Sequence, residues 1–213
     1  NPLADVGREL ETLEILGKGL DDSYTVYHGV HWTNIESKNY AIYGEIDFAV
    51  ISPSGKMLLI EQKTGYLKET EDGLEKKYTE KSKNVPFQIA RNAHGIQHRL
   101  KQALKGYSVF VDSILYCPDY KVKKLGSAGI DPKRIVDSLR KDQLVEIIKT
   151  IIPPEEINLQ IQDLLHQFLS DLLEIVPDVN SVIGQTEKMY TRVSGGLSEW
   201  AQKIDFSPFR LRV

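Results

Sequence analysis

The chain has 213 residues, 41% of them hydrophobic and 27% charged, an ordinary composition for a soluble globular chain of one domain, with or without a small appendage. The formal net charge of −3 (27 basic minus 30 acidic residues) excludes a global basic signature for nucleic acid, so any DNA contact must come from local patches. A single cysteine, Cys117, excludes an internal disulfide and favours a cytoplasmic location, and we expect neither a signal peptide nor a membrane-spanning segment.

The first predicted elements are a helix and a strand. Residues 3–16 form an amphipathic helix whose apolar stripe ends near two glycines, and Glu9 borders that stripe. Residues 24–33 predict the first strand, and 34–43 a polar connection.

The central stretch, residues 44–63, predicts a β-hairpin with strands 44–52 and 56–63 around Pro53-Ser54-Gly55. A three-residue hairpin loop needs its last residue in the left-handed region, which Gly55 adopts without strain. This loop pairs Ser52 with Lys56 and places Asp47 opposite Glu61, whereas a four-residue loop would place Asp47 opposite Ile60.

The polar residues of this hairpin predict a metal site. Side chains two apart on a strand share a face, so Glu45 points with Asp47 and Glu61 points with Lys63. Paired carboxylates bind a hard divalent cation, and a neighbouring lysine can hold a phosphate or orient a water. The pattern therefore favours metal-assisted phosphodiester hydrolysis, with Glu45 as a reserve acid.

The alternative for the hairpin is a surface ion pair between its two strands, which would stabilise the fold little. The apolar runs 48–51 and 57–60 argue against it, because they predict strands buried on both faces. Burying several acids beside one lysine is costly without a metal.

Residues 68–83 interleave lysine and glutamate and predict a solvated, mobile loop. The alternative is a substrate-gripping flap that uses the lysines of this segment (Lys76, Lys77, Lys81 and Lys83).

Residues 86–105 predict a helix with Pro86 in its first turn and a buried apolar stripe from Ile89 to Ala103. The opposite stripe is polar, and we expect it to contact DNA phosphates through Gln88, Arg91, Asn92 and Arg99.

The remaining elements complete an α/β fold. Residues 108–117 predict a buried strand, Ile135-Val136 a short one, and 139–151 a helix. The order helix, three strands, helix, strand predicts a mixed sheet flanked by helices over residues 1–150. Residues 151–213 form a helical extension or linker, with a helix at 155–175, a connection at 177–184 and a last segment at 187–204.

Asp47, followed by Glu61-Gln62-Lys63 on the adjacent strand and preceded by a glutamate-bearing helix, resembles the PD-(D/E)XK nuclease superfamily. The sequence at 44–47, the Pro-Ser-Gly turn and the sequence at 60–65 resemble more narrowly the NERD (nuclease-related) domain. The resemblance extends over residues 7–117, about half of the chain.

This resemblance implies a restriction-endonuclease-like core and a metal-dependent deoxyribonuclease. Mg²⁺ or Mn²⁺ would be held by Asp47 and Glu61, with Glu9 of the first helix and the main-chain carbonyl of Gln62. Lys63 would be catalytic, and Gln88 lies at the position of a glutamine near the site.

The C-terminal residues 196–200 and 209–213 resemble the stretch that precedes the phosphate-binding loop in NERD–helicase fusions, although no GxxxxGK[ST] motif occurs in this chain. The resemblance implies a helicase domain beyond Val213, and a free-standing protein with a helical tail is the alternative.

Three other functions remain open at this point. The chain could be a non-catalytic DNA-binding module, an interaction platform for a helicase or other partner, or a small-molecule phosphoesterase. The intact set of Asp47, Glu61 and Lys63 argues against the first of these.

Overall fold

The structure is a computed structural model that describes residues 2–35, 41–78, 81–174 and 210–212. The helices are α1 (Pro2–Gly19), α2 (Val85–Ala103), α3 (Leu144–Ile151) and α4 (Leu159–Glu174). The strands are β1 (Thr25–Ile35), β2 (Ala41–Ile51), β3 (Met57–Gln62), β4 (Lys68–Thr70), β5 (Gly73–Lys77), β6 (Ser82–Asn84), β7 (Val111–Cys117), β8 (Ile135–Asp137) and β9 (Arg210–Arg212). The predicted connection at 177–184 and the segments 187–204 and 196–200 lie outside the described residues.

A mixed sheet forms the centre of the fold, with strand order β8-β7-β3-β2-β1-β9. The β1–β2, β2–β3 and β1–β9 pairs are antiparallel, and β3–β7 and β7–β8 are parallel. Helix α2 crosses from β6 to β7, so the core follows the predicted order of helix, three strands, helix and strand. The predicted fold class, an α/β nuclease-like core followed by a C-terminal helix, is confirmed.

The β2–β3 hairpin has the predicted register. The strands pair from Ile51 with Met57 to Phe48 with Ile60, and the Ser52 amide donates to the Lys56 carbonyl at 2.9 Å. Gly55 closes the loop at φ +75°, a conformation that glycine adopts without a Cβ clash. The same register, continued by one pair, places Asp47 opposite Glu61.

Helices cover both faces of the sheet, which explains why the central strands are almost continuously apolar. On one face Phe48 and Ile60 pack with Leu16 of α1 and with Ile148 of α3. On the other face, Ala49, Ile51, Met57 and Leu59 pack in one cluster with side chains of α2 and α4.

The alternation of faces shifts by one residue where β1 and β2 pass Gly29 and Asp47. Ile46 and Ala49 belong to the same core cluster although they are three apart, and so do Tyr27 and Val30. Gly29 has φ +64°, which lets β1 make this adjustment. Asp47 therefore lies at a local break in the apolar layers, one residue after Ile46 and one before Phe48.

The segment predicted as a mobile loop at 68–83 corrects one expectation, because the strands within its described part, β4 to β6, form a second antiparallel sheet (the small sheet). Leu67 and Leu74 are fully buried in a cluster with Val85 and Leu115, and the Leu74 amide donates to the Ala128 carbonyl at 3.2 Å. Burial of these two leucines and the bond to Ala128 therefore dock the segment against the core.

The C-terminal part of the chain packs on the same core. Helix α4 begins four residues later than predicted and buries Leu165, Phe168, Leu169 and Leu172 in the α2-side cluster. Helix α3 begins at Leu144 after a 3-10 turn, rather than at residue 139. The domain boundary near residue 150 stays a prediction. Within the described ranges, none of the helices has the length and apolar character needed to cross a membrane.

Candidate active site

The predicted catalytic residues line one open cleft of about 170 Å³, bordered by β2, β3, α1, α2 and the small sheet. The residues around it are acidic (Glu9, Glu45, Asp47 and Glu61), basic (Lys63, Lys76 and Lys83) or uncharged and polar (Gln62, Thr64, Tyr78 and Gln88). The cleft thus brings together residues separated by up to 79 positions in the sequence, from Glu9 to Gln88.

Glu61 is the most deeply buried acid of the cleft, with 4% of its surface exposed. Its Oε1 atom accepts hydrogen bonds from Lys63 Nζ, which also forms an ion pair with it, and from Gln88 Nε2 at 2.6 Å. Its Oε2 atom accepts a longer bond from Asn92 Nδ2 at 3.3 Å. Three donors, one just beyond β3 and two on α2, therefore hold this carboxylate in one orientation.

Asp47 is half-buried, and its Oδ2 atom accepts a hydrogen bond from the Gln62 amide at 2.6 Å. Burial raises the pKa of Asp47 well above its usual value, and the negative charge of Glu61 raises it further. Lys63 and the Gln62 amide offset only part of this rise. Burial likewise raises the pKa of Glu61, against the opposing effect of Lys63. The carboxylates of Asp47 and Glu61 therefore repel each other at a site where little water can screen their charges.

Lys63 is charged at neutral pH despite its burial. Desolvation opposes the charge, but the carboxylates of Glu61 and Asp47 outweigh it and raise the pKa of Lys63 above its ordinary value. The Lys63 amide donates to the Tyr116 carbonyl at 2.8 Å, which anchors the residue just beyond the end of β3. The cleft thus contains one buried carboxylate, one half-buried carboxylate and one buried ammonium.

Glu9 reaches the cleft from α1. Its Oε2 atom lies 2.6 Å from His28 Nε2, and the His28 ring stacks on Phe48, the residue after Asp47. Glu9 contributes to the raised pKa of Asp47 through its charge. Glu9, which the family resemblance implies as a metal ligand, therefore lies at the cleft and is bonded to His28 of β1.

The Gln62 side chain lies on the opposite side of β3 from Glu61. Thr12 Oγ1 of α1 donates to Gln62 Oε1 at 2.7 Å, and both residues are buried. Gln62 Nε2 is buried without a hydrogen-bond partner among the described residues. Thr12 was not anticipated from the sequence, although its place on α1, three residues after Glu9, is a signal that could have suggested it.

The polar stripe of α2 divides into two groups. Gln88 and Asn92 point at Glu61, whereas Arg91 is exposed and Arg99 is half-buried, with a pKa lowered by burial. Asn92 has only 3% of its surface exposed, so this residue of the predicted DNA-contacting stripe is buried within the fold.

Asn92 instead connects α2 to the sheet. It accepts a hydrogen bond from Trp32 Nε1 at 3.2 Å and donates to the Glu45 carbonyl at 2.7 Å, besides its bond to Glu61. Gly44 and Gly95 make room for this arrangement, because a Cβ on either would lie 2.6 Å or less from the Trp32 ring. Trp32 was not anticipated from the sequence.

The donor set fits a divalent cation in part. Mg²⁺ sites commonly use one or two carboxylates, which Asp47 and Glu61 provide, and relief of their repulsion would favour a cation between them. Gln88 Oε1, a further oxygen acceptor at the cleft, is buried without a partner in the described part of the chain. Over the same residues, however, no group of three His, Cys, Asp or Glu side chains is arranged to hold a metal ion.

Comparison with known proteins supports the family suggested by the sequence. A family model described as "Nuclease-related domain" (NERD) matches residues 5–118, which is a little over half of the 213-residue chain. Neither the curated proteins nor the solved structures contain a significant match. The chain belongs to the NERD family.

Proposed function

We propose that this protein is a metal-dependent nuclease that hydrolyses DNA phosphodiester bonds. The observation that carries the proposal is the cluster of Asp47, Glu61 and Lys63, in which a half-buried carboxylate, a buried carboxylate and a buried ammonium meet in an open cleft. Such a cluster costs folding free energy, and a catalytic role accounts for it better than a stabilising one. Membership of the nuclease-related family supports the same activity and favours DNA as the substrate.

In this proposal Asp47 and Glu61 hold Mg²⁺ or Mn²⁺, with Glu9 and the Gln62 carbonyl as further ligands. The chemistry that such an ion supplies is polarisation of the scissile phosphate and a lower pKa for water. Gln88 and Asn92 keep Glu61 oriented through their hydrogen bonds. Lys63, protonated at neutral pH, orients the attacking water or stabilises the charge that grows on the phosphoryl oxygens. Arg91 and Arg99 attract the phosphates of the DNA strand.

The test is a cleavage assay on linear and circular DNA, single- and double-stranded, in Mg²⁺, Mn²⁺ or EDTA. Wild type is compared with Asp47→Ala and Lys63→Ala, and Lys77→Ala, an exposed lysine outside the cleft lining, is the matched control. We expect metal-dependent cleavage that falls by about 100-fold or more in the two site variants and is unchanged in the control. Cleavage that persists in EDTA, or in both site variants, would contradict the proposal.

A non-catalytic DNA-binding or interaction module attached to a helicase is the second candidate. It is favoured by the engagement of Glu61 with Lys63, Gln88 and Asn92, and by the lack of a three-residue metal cluster among the described residues. DNA binding that survives Asp47→Ala and Lys63→Ala, without cleavage by the wild type, would favour this module.

We also propose that a helicase domain is attached to or associated with this one, on the resemblance of the C-terminal residues to NERD–helicase fusions. A cytoplasmic location is proposed from the single, buried thiol of Cys117.

A further inference from the structure

The small sheet contains two lysines of like charge directly opposite each other. Lys76 of β5 pairs with Lys83 of β6, and both side chains line the cleft that contains Asp47 and Glu61. Like charges directly opposite each other on neighbouring strands are destabilising. An anion at the cleft would relieve this repulsion, so the pair indicates a phosphate-binding role.

The small sheet also separates charged side chains of this segment onto different faces, although they are interleaved in the sequence. Because side chains alternate along a strand, Glu75 and Lys77 point away from the face of Lys76. Glu75 accepts a hydrogen bond from Ser82 Oγ at 2.9 Å on that outer face. The carboxylate of Glu69 is also directed elsewhere, because it accepts the amides of Lys123 and Lys124 at 2.8 Å each. Two of the acids that dilute the positive charge of this segment, Glu69 and Glu75, are thus bonded away from the cleft.

Tyr78 adds an aromatic ring to the same face. It follows Lys76 by two positions, its amide donates to the Lys81 carbonyl at 2.8 Å, and its side chain lines the cleft. Tyr78 is 41% exposed, and Lys83 Nζ lies 5.2 Å from the centre of its ring. A cation beside an exposed ring is the combination that binds a nucleotide through its phosphate and its base.

The small sheet is tied to the catalytic end of β3. Lys76 Nζ donates to the Thr64 carbonyl, one residue after Lys63, and to the Tyr66 carbonyl at 3.4 Å. A strand held by Tyr78 and Lys83 would therefore be positioned relative to Lys63 by direct contacts and not by a flexible linker.

We propose that Lys76, Tyr78 and Lys83, the lysine–tyrosine face, form a subsite for a single-stranded stretch of the DNA substrate next to the scissile bond. Lys83 binds a phosphate, Lys76 contributes charge and fixes the turn after Lys63, and a base stacks on Tyr78. Stacking requires a base that is free of its duplex neighbours, which is why the subsite selects a single strand. This inference rests on the proposed nuclease function and adds its substrate class.

The test measures DNA binding separately from cleavage. Fluorescence anisotropy in EDTA follows a labelled oligothymidylate and a labelled duplex, with wild type, Tyr78→Ala, Tyr78→Phe, Lys83→Ala and the control Lys77→Ala. Lys77 is on the same strand as Lys76 and exposed on the opposite face, so it controls for general charge. Thermal unfolding of each variant checks that the fold is intact.

We expect Tyr78→Ala to weaken binding of the single strand roughly tenfold, and Tyr78→Phe to bind as wild type does, because stacking needs only the ring. Lys83→Ala should weaken binding and lower the slope of log K against log salt by about 0.7, the value for one phosphate contact on a single strand. Lys77→Ala should change neither quantity, and duplex binding should be insensitive to Tyr78→Ala.

Three results would overturn the subsite: no binding of the single strand by wild type, an equal loss in Lys77→Ala and Lys83→Ala, or full binding by Tyr78→Ala. These results are distinct from failure of the nuclease proposal. A wild type that binds through Tyr78 and Lys83 but cleaves with neither metal would leave the subsite and remove the nuclease. If the wild type cleaves DNA but the Tyr78 and Lys83 variants bind it normally, the nuclease proposal stands and the subsite is overturned.

Discussion

Asp47 of β2 is bonded to the strand of Glu61, because the amide of Gln62, the residue after Glu61, donates to Asp47 Oδ2 at 2.6 Å. The two carboxylates share the single positive charge of Lys63, which is bonded to Glu61. Without a bound cation the site has more negative than positive charge; burial raises the pKa of both acids, and the charge of Glu61 raises that of Asp47 further.

Removal of the Asp47 charge should stabilise the metal-free protein at neutral pH. A carboxyl whose pKa is raised on folding binds its proton more tightly in the folded than in the unfolded state. Stability conferred by that proton is therefore lost as the pH rises from the ordinary aspartate pKa of 3.8 through the raised value. In EDTA at neutral pH we expect Asp47→Asn to raise Tm by about 2–4 °C, the change that about 1 kcal/mol produces in a domain of this size.

The measurement is thermal unfolding followed by circular dichroism across a pH series, with Asp22→Asn as the exposed control. The advantage of Asp47→Asn should shrink as the pH falls toward the ordinary aspartate pKa. Added Mg²⁺ or Mn²⁺ should raise Tm of the wild type and leave that of Asp47→Asn nearly unchanged. If the wild type is more stable than Asp47→Asn in EDTA at neutral pH, the inference that folding raises the pKa of Asp47 is contradicted.

We expect Asn92→Ala to destabilise the fold and to reduce cleavage, because the buried Asn92 side chain positions other residues of the site. Asn92 is buried and bonded to Trp32, to the Glu45 carbonyl and to Glu61. Its loss leaves Trp32 Nε1 without this acceptor and removes one donor each from the Glu45 carbonyl and from Glu61, which keeps Lys63 and Gln88. A buried unsatisfied group costs about 1–3 kcal/mol. Urea unfolding of Asn92→Ala should show a free energy of unfolding that is lower by roughly 2–3 kcal/mol. Arg91→Ala, on the exposed side of α2, is the control, and its free energy of unfolding should stay within about 0.5 kcal/mol of wild type. Equal effects of the two variants would remove Asn92 as a positioning residue.

Alanine at Gly44 or Gly95 should disturb the same region sterically. A Cβ at Gly44 would lie 2.5 Å from Asn92 Oδ1, and one at Gly95 would lie 2.5 Å from the Trp32 ring. We expect each change to cost about 1–3 kcal/mol, as overpacking of a tight core does. Gly17 of α1 is the control, since a Cβ there meets nothing within 4 Å and alanine in a helix is favoured by up to about 1 kcal/mol. If urea unfolding gives Gly44→Ala and Gly17→Ala the same stability, the close packing of Gly44 against Asn92 and Trp32 is contradicted.

The central hairpin could be predicted from the sequence because its geometry depends on local features. The three-residue loop with Gly55 sets the strand register, and the register alone places Asp47 opposite Glu61. The apolar runs around these acids predict strands covered on both faces, as the helices on each side of the sheet show.

The helix-forming pattern of α2 predicted its position but not the direction of its polar side chains. A stripe of polar residues on a helix indicates the face that is not apolar, whereas the orientation of Asn92 depends on Trp32 and Glu61, which are distant in the sequence. Asn92 was therefore expected at a phosphate and is buried beneath Glu61.

The sequence by itself determined the hairpin register and the order of the core elements, because turn length and strand periodicity are local properties. The same pattern placed Asp47, Glu61 and Lys63 close together in the hairpin. Only the tertiary structure decided which other polar residues meet them. Burial of Leu67 and Leu74 docks the small sheet, and strand alternation turns Lys76 and Lys83 toward the cleft and Glu75 away from it. Such sorting depends on non-local packing, and a charged sequence of mixed sign contains no local signal for it.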